Sequence, residues 1–163
     1  MGRFSQIKKL QCKIKNEMIE RILGNQDLLK YIYYQSSNPL EEIDIEDTIG
    51  LINEYVYKRS RVFTVEEDVQ NYLFVKINSP SSNKGGSIFK EITIIFDIIC
   101  HNELIDNLDS GEDRALCILD EIDSLLDDTR SEFWLGKIQY QNFREIYVGD
   151  KFSGYTLSYN VTI

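Results

Sequence analysis

Side chains with catalytic potential are few in this sequence. His101 is the single histidine among 163 residues, and it stands at the end of a hydrophobic run. Neither a Gly-x-Ser-x-Gly elbow nor a cysteine motif accompanies it, so the pattern holds no recognisable pairing of a nucleophile with its base. We therefore do not expect His101 to be catalytic, and we predict that the protein is not an enzyme.

Two other groups resemble ligand sites only in part. Lys84-Gly85-Gly86 lacks the eight-residue spacing of a phosphate-binding loop and opens no helical pattern, so it cannot present an array of amides to a nucleotide. Asp120, Glu121 and Asp123 lie inside a helical pattern, whereas a calcium loop has acids at alternating positions and a central glycine. A hairpin tip and a solvated helix surface explain the two groups better than ligand sites do.

The cysteines give a further negative result. An odd number of widely spaced thiols fits neither a disulfide framework nor the paired spacing of a zinc site. The three residues are Cys12, Cys100 and Cys117. We expect that the protein binds no cofactor and no metal. We also expect that its cysteines are free thiols in a reducing compartment. No stretch of about 18 apolar residues is present. We therefore also expect that the protein is made in a cytoplasm and does not associate with a membrane.

The elements that position these residues begin with a helix over residues 5–30. Its apolar residues recur at three- and four-residue steps, which predicts an amphipathic helix with a narrow stripe. They are Ile7, Leu10, Ile14, Met18 and Ile22. Pro39 and the small polar residues before it predict the break that follows. Residues 40–64 fit both a short strand and a helical face, and we leave their structure open.

The rest of the chain predicts a sheet with a helix on it. Residues 72–77 and 88–101 alternate with the two-residue period of strands, and the polar residues 78–87 between them predict a hairpin tip. Ser110 precedes an acidic helix with a wide apolar face, and residues 136–147 and 155–163 predict two more strands. The fold class is α+β, with a mainly antiparallel sheet of about four strands and a helix packed on one face.

We expect one domain over residues 1–163, with residues 1–37 as a basic helix and residues 38–163 as the α+β core. The chain has 18 Lys+Arg against 27 Asp+Glu and a formal net charge of −9. This charge excludes a protein whose whole surface binds DNA. Positive charge is concentrated in the first helix, in Lys8, Lys9, Lys13 and Lys15, while acid is densest over residues 103–132. A bipolar subunit suits head-to-tail or ring association, and a solvated basic helix is the alternative interpretation.

A resemblance to a known class of protein rests on the order of these elements. The hairpin with a polar tip (71–101), the acidic helix (114–126), the strand from residue 136 and the closing Phe152-Ser153-Gly154-Tyr155-Thr156-Leu157-Ser158-Tyr159 together resemble small tail terminator, tail completion or head-to-tail connector proteins of tailed bacteriophages. The resemblance covers residues 38–163.

This resemblance implies a structural virion protein that forms a hexameric or dodecameric ring at the head–tail junction, as a tail terminator or neck connector. The implied neighbours are other phage neck, portal-adaptor or tail-tube proteins, and DNA passes an acidic channel without specific binding because like charges repel. The expected interfaces are the basic helix (Lys8, Lys9, Lys13, Lys15) and the hairpin tip (Ser79, Ser82, Lys84, Gly85, Gly86).

A second hypothesis comes from a different class of function. The protein would be a small regulatory binding module that contacts nucleic acid or a partner protein through its basic N-terminal helix, or whose acidic domain imitates DNA. Contacts with phosphates weaken steeply as salt rises, whereas a connector binds no DNA and shows a ring mass in solution. Salt dependence therefore separates the two hypotheses.

Overall fold

The structure, a computed structural model, describes residues 3–61, 68–78, 91–126 and 135–162. It confirms the α+β class, with five strands in one sheet instead of about four. The helices are α1 (Arg3–Gly24), α2 (Gln26–Tyr33), α3 (Asn102–Ile105) and α4 (Arg114–Leu126), with 3₁₀ turns at Pro39–Glu41 and Ile49–Leu51. The strands are β1 (Val56–Tyr57), β2 (Asn71–Asn78), β3 (Glu91–His101), β4 (Leu135–Val148) and β5 (Phe152–Thr162).

The sheet has the strand order β1-β2-β3-β5-β4. All neighbouring strands are antiparallel except β1, which is parallel to β2 and pairs Val56 with Leu73. The additional strand, β1, lies in the segment whose structure the sequence left open. Two residues are too few to show a two-residue period, so pattern alone does not reveal such a strand.

The strand register gives the sheet two different faces. On one face Leu73 lies opposite Ile98, and Val75 lies opposite Phe96. These residues belong to the main core, together with buried residues of α1, α2 and α4. Side chains of neighbouring antiparallel residues point to the same side, so the helices form a single layer on this face.

The opposite face carries a second apolar cluster. Tyr72 and Phe74 of β2 are each 1% exposed and lie beside Tyr57, Ile99 and Phe152. The Tyr57 and Phe74 rings are stacked with centroids 5.2 Å apart. No helix of the described chain belongs to this cluster. We call this side the helix-free face.

The prediction of one continuous helix over residues 5–30 is wrong, because the helix is interrupted at Asn25. α1 ends at Gly24, and Asn25 adopts an extended backbone (φ −101°, ψ 101°). Its side-chain oxygen accepts a hydrogen bond from the Leu28 amide at 3.0 Å and so begins a new helix. Glycine followed by a capping residue interrupts the helix although the apolar spacing continues across the break.

The predicted cap of the acidic helix is displaced by three residues. The sequence predicts Ser110 as the cap, whereas α4 begins at Arg114 and its N-cap acceptor is Asp113. The Asp113 carboxylate accepts hydrogen bonds from the amides of Ala115 (2.7 Å) and Leu116 (3.1 Å). Ser110 instead accepts a hydrogen bond from the Glu112 amide in the preceding turn. A carboxylate so close to the helix start satisfies more free amides than a distant hydroxyl can.

A close approach between two central strands requires a glycine in β5. A β-carbon on Gly154 would lie 2.0 Å from the carbonyl oxygen of Ile98 in β3. No side chain fits in that space, so the β3–β5 pairing depends on glycine at this position.

Candidate assembly surfaces

Strand β4 is the outer strand at one side of the sheet. It pairs with β5, and no described strand lies on its other side. Its large side chains are exposed: Tyr140 by 53%, Phe143 by 51% and Tyr147 by 72%. A long strand with an unpaired edge offers a row of free amides and carbonyls to a strand of another chain.

Irregularities restrict this edge to the second half of β4. The register shifts between Leu135 and Gln139 and again between Tyr140 and Asn142, which marks bulges. From Asn142 to Val148 each residue pairs in step with β5. Bulges disturb the row of hydrogen-bonding groups that a neighbouring strand would need. The regular segment, residues 142–148, is therefore the part of the edge able to accept another strand.

The four lysines predicted as an interface lie along the first half of α1. Lys8, Lys9 and Lys13 are exposed, whereas Lys15 is half-buried. Lys15 donates a hydrogen bond from Nζ to the carbonyl oxygen of Lys58 at 2.7 Å. Burial, together with the nearby charge of Lys58, lowers the pKa of Lys15. Lys15 thus helps to attach α1 to the segment after β1, and the other three form the exposed basic surface.

The fold brings a further cation, Lys58, into contact with α1. The Nζ atom of Lys58 donates to Oδ1 of Asn16 on α1 at 3.1 Å. Arg59 follows Lys58 directly in the chain. More than 40 residues separate the two segments along the chain, so local sequence patterns do not show that their charges lie together. We call the combined group of Lys8, Lys9, Lys13, Lys58 and Arg59 the basic strip.

The predicted pairing of two strands in a hairpin is confirmed, since β2 and β3 are antiparallel neighbours, and the structure sets Leu73 opposite Ile98. The predicted contact residues at its tip, Ser79, Ser82, Lys84, Gly85 and Gly86, lie outside the described residues.

The acids weighed as a cation site have separate structural partners. Glu121 accepts a hydrogen bond from Nδ2 of Asn25 at 3.1 Å, and Asp123 accepts one from the Tyr159 hydroxyl. Asp120 is exposed. Within the described residues, no group of three or more His, Cys, Asp or Glu side chains is arranged to hold a metal ion.

His101 is buried at the start of α3. Its Nδ1 atom accepts a hydrogen bond from the Glu103 amide at 3.2 Å, and its ring meets Phe152 edge-on at 5.1 Å. Its neighbour Cys100 is completely buried, which raises the pKa of that thiol well above its ordinary value. The contacts of His101 are those of a helix cap packed against the aromatic cluster.

Sequence reasoning missed the exposed edge. The pattern predicts a strand over residues 136–147 but does not say where that strand lies in the sheet. One sign is present: Gln139, Gln141 and Asn142 surround Tyr140, so this strand lacks the continuous apolar side that central strands have.

The chain was compared with known proteins. The model of the YomW family matches residues 25–161. The match begins at the cap of α2 and ends in β5, so it includes the whole sheet and α4 but leaves out α1. No curated protein matches the chain. No helix within the described ranges has the length and apolar character needed to cross a membrane.

Proposed function

From the premise that this chain belongs to the phage-associated YomW family, we propose that it is a structural protein of the virion. Copies of the chain form a ring at the head–tail junction, in the position of a tail terminator or neck connector. The observation that carries this proposal is the open, regular edge of β4 over residues 142–148.

The edge supports association between copies because leaving a long strand edge unpaired is unfavourable. Unpaired strand edges attract other strands, and proteins that remain single usually protect them with short strands, lysines or prolines. β4 is 14 residues long, and its regular half contains neither lysine nor proline. Phe143 and Tyr147 add exposed apolar surface to this half. A neighbouring copy that adds a strand here covers both the backbone groups and these rings.

The charge distribution supports a ring in which unlike surfaces meet. Exposed lysines lie on α1, and exposed acids lie on and before α4, among them Glu112, Asp120 and Asp123. Opposite charges on separate elements of one subunit favour head-to-tail contact between copies. With a net charge of −9 for each copy, the remaining surface repels DNA that passes through the ring.

Native mass spectrometry of the full chain tests the proposal. We expect the wild-type chain to give a hexameric or dodecameric mass, and we expect Tyr147→Lys to give the monomer. Tyr147 is exposed on the regular edge, so the lysine places charge in the contact without disturbing the core.

Ile43→Lys is the matched control, because Ile43 is 80% exposed and lies between α2 and β1, away from β4. We expect this variant to keep the ring. A monomeric wild-type chain contradicts the proposal. Loss of the ring in the Ile43 variant alone contradicts the assignment of the contact to β4.

The basic strip favours a second candidate function, a binding module that contacts nucleic acid. Lys15, Lys58 and Asn16 hold two positive segments together in a chain that is otherwise acidic. Fluorescence anisotropy with a labelled DNA duplex at low and moderate salt tests this candidate. Binding that weakens steeply with salt and is lost in Lys9→Glu/Lys13→Glu supports it, and absence of binding at low salt rejects it.

A further inference from the structure

Strand β4 extends beyond the layer of helices that covers one face of the sheet. α1 packs against β2, and α4 packs against β3 and β5. Among the elements that the structure describes, no helix lies against β4 to a comparable extent. The helix layer of the described chain thus ends at β5, one strand short of the outer strand of the sheet.

Two aromatic residues of β4 lie on this uncovered part of the sheet. Tyr140 pairs with Tyr159 of β5, and Phe143 pairs with Leu157. Tyr159 and Leu157 belong to the main core, so Tyr140 and Phe143 point to the same side of the sheet as the helices. Each of the two β4 side chains is nevertheless about half exposed. We call Tyr140 and Phe143 the aromatic shelf.

Two rows of contacts connect the aromatic shelf to α4. The first ring of the shelf meets Tyr159 edge-on with centroids 6.1 Å apart, and the Tyr159 hydroxyl donates to Asp123 of α4. The second ring meets Tyr155 with centroids 6.0 Å apart, and the Tyr155 hydroxyl donates to Asp113 at 3.1 Å. The shelf and one side of α4 therefore form the two walls of a groove, with the two tyrosines of β5 as its floor.

Acidic side chains border this groove. Asp113 and Asp123 lie about 15 Å apart along α4, at about 1.5 Å per residue. Asp120 is exposed between them, and Glu145 is exposed on β4 opposite Tyr155. α4 contains no lysine, and its single arginine is fully buried. The border of the groove therefore attracts positive charge.

The walls of the groove also carry apolar surface without nearby cations. Leu116 is 40% exposed, and it lies three residues after Asp113 and seven before Asp123, a spacing that places it on the same side of α4. Arg144 is the single basic residue between positions 139 and 148 of β4. It points to the helix-free face, where it lines a cavity with Arg61.

These features select the kind of element that fits the groove. Helices pack side by side at about 8–10 Å, so a helix beside α4 continues the existing layer over β4. Its apolar side would cover the aromatic shelf, and its cations would meet the acids of α4. The α1 helix of a second copy is basic but lacks a free apolar side, because Ile14, Met18 and Ile22 are buried in its own core.

We propose that this groove binds a basic amphipathic helix of another protein. The inference goes beyond the proposed ring, because the ring contact uses the backbone edge of β4 whereas the helix lies in the groove between the face of β4 and α4. Phe143 belongs to both surfaces, so helix binding and ring formation are measured separately.

Three synthetic peptides of about 14 residues, long enough to span the groove as a helix, test the proposal. The first has leucines at helical spacing and lysines elsewhere. The second has glutamate in place of lysine, and the third has the composition of the first in an order without an apolar stripe. Calorimetry with the full chain measures affinity, and ¹H–¹⁵N spectra locate the contact. We expect the first peptide to bind at least about tenfold more tightly than the others and to shift the amides of Leu116, Tyr140 and Phe143.

Tyr140→Ser/Phe143→Ser is the test variant, since both side chains are half exposed and circular dichroism can verify that the variant folds. We expect it to bind the first peptide about tenfold more weakly, because aromatic anchors dominate such contacts. Ile43→Ser is the matched control, because Ile43 is 80% exposed and lies between α2 and β1. Its affinity for the peptide should equal that of the wild-type chain.

Several results overturn the proposal: no binding of the first peptide, equal binding of the second or third, or unchanged affinity in the test variant. Shifts at Tyr140 and Phe143 that follow protein concentration but not peptide would assign the groove to a second copy and overturn it as well. Native mass spectrometry of the same samples separates this proposal from the ring. A ring without peptide binding overturns the helix site alone, whereas peptide binding to a monomeric wild-type chain overturns the ring alone.

Discussion

At the residue scale, Arg114 is a fully buried arginine that joins three segments of the chain. Its guanidinium donates six hydrogen bonds to the carbonyl oxygens of Tyr31, Tyr34, Ser36 and Leu104 and to Oδ1 of Asn107. The carbonyls of Tyr31 and Tyr34 lie at the C-terminal end of α2, where unpaired carbonyls favour a cation. Burial lowers the pKa of Arg114, since it disfavours the charged form.

Replacing this arginine should destabilise the protein strongly. We expect Arg114→Met to lower the free energy of unfolding by about 3–5 kcal/mol, because several buried carbonyls lose their donors at once. Urea unfolding followed by circular dichroism measures the change. Arg144→Gln, an exposed arginine, serves as the control and should change stability by less than about 0.5 kcal/mol. An Arg114→Met protein as stable as the control would contradict this role.

At the scale of elements, two tyrosines of β5 attach α4 to the sheet. The Tyr155 hydroxyl donates to Oδ2 of Asp113 at 3.1 Å, and the Tyr159 hydroxyl donates to Oδ1 of Asp123. Burial and the neighbouring Asp113 raise the pKa of Tyr155 to about 12. Burial and the hydrogen bond to Asp123 likewise raise the pKa of Tyr159. The contact between helix and sheet therefore depends on protonated hydroxyls.

This contact predicts a loss of stability at alkaline pH. In the unfolded chain these tyrosines lose their protons near pH 10, whereas the folded protein retains them. The stabilisation is thus complete below about pH 10 and decreases as pH rises toward about 12, because the unfolded state then binds fewer protons than the folded state. Urea unfolding at successive pH values measures the slope. Tyr155→Phe/Tyr159→Phe should reduce it, and an unchanged slope in that variant would contradict the assignment.

At the scale of the whole molecule, α1 belongs to the same core as the sheet. Ile14 and Met18 are 0% exposed, Ile22 is 1% exposed, and all three lie in the main apolar cluster. Fully burying one such side chain contributes about 1.5–3 kcal/mol. Although the family match begins only at residue 25, the helix layer of this chain includes α1.

Removal of α1 should therefore weaken the whole fold. We expect a chain of residues 25–163 to lose several kcal/mol of unfolding free energy, measured by urea and thermal unfolding. The control removes residues 1–9 only, which keeps the three buried side chains and should leave stability nearly unchanged. Equal stability of the two truncated chains would show that α1 is an accessory to the core.

The sequence predicted elements better than it predicted their boundaries or neighbours. The apolar stripe of Ile14, Met18 and Ile22 is confirmed as buried, and so is the alternation of Ile92, Ile94 and Phe96 in β3. The break at Asn25 was not predicted, because the spacing of apolar residues continues across it. The role of Arg114 escaped as well, although an arginine in the first turn of a helix opposes the helix dipole and so indicates a specific partner.

What the sequence determined by itself is the α+β class, the hairpin of β2 and β3 and the bipolar charge, since these follow from period, turn residues and composition. Only the tertiary structure decided that β4 is the outer strand of the sheet within the described residues, that Lys58 contacts α1, and that Arg61 and Arg144 line one cavity. The physical reason is distance along the chain. Local patterns depend on neighbours a few residues apart, whereas strand order and shared cavities depend on contacts between segments that the sequence separates.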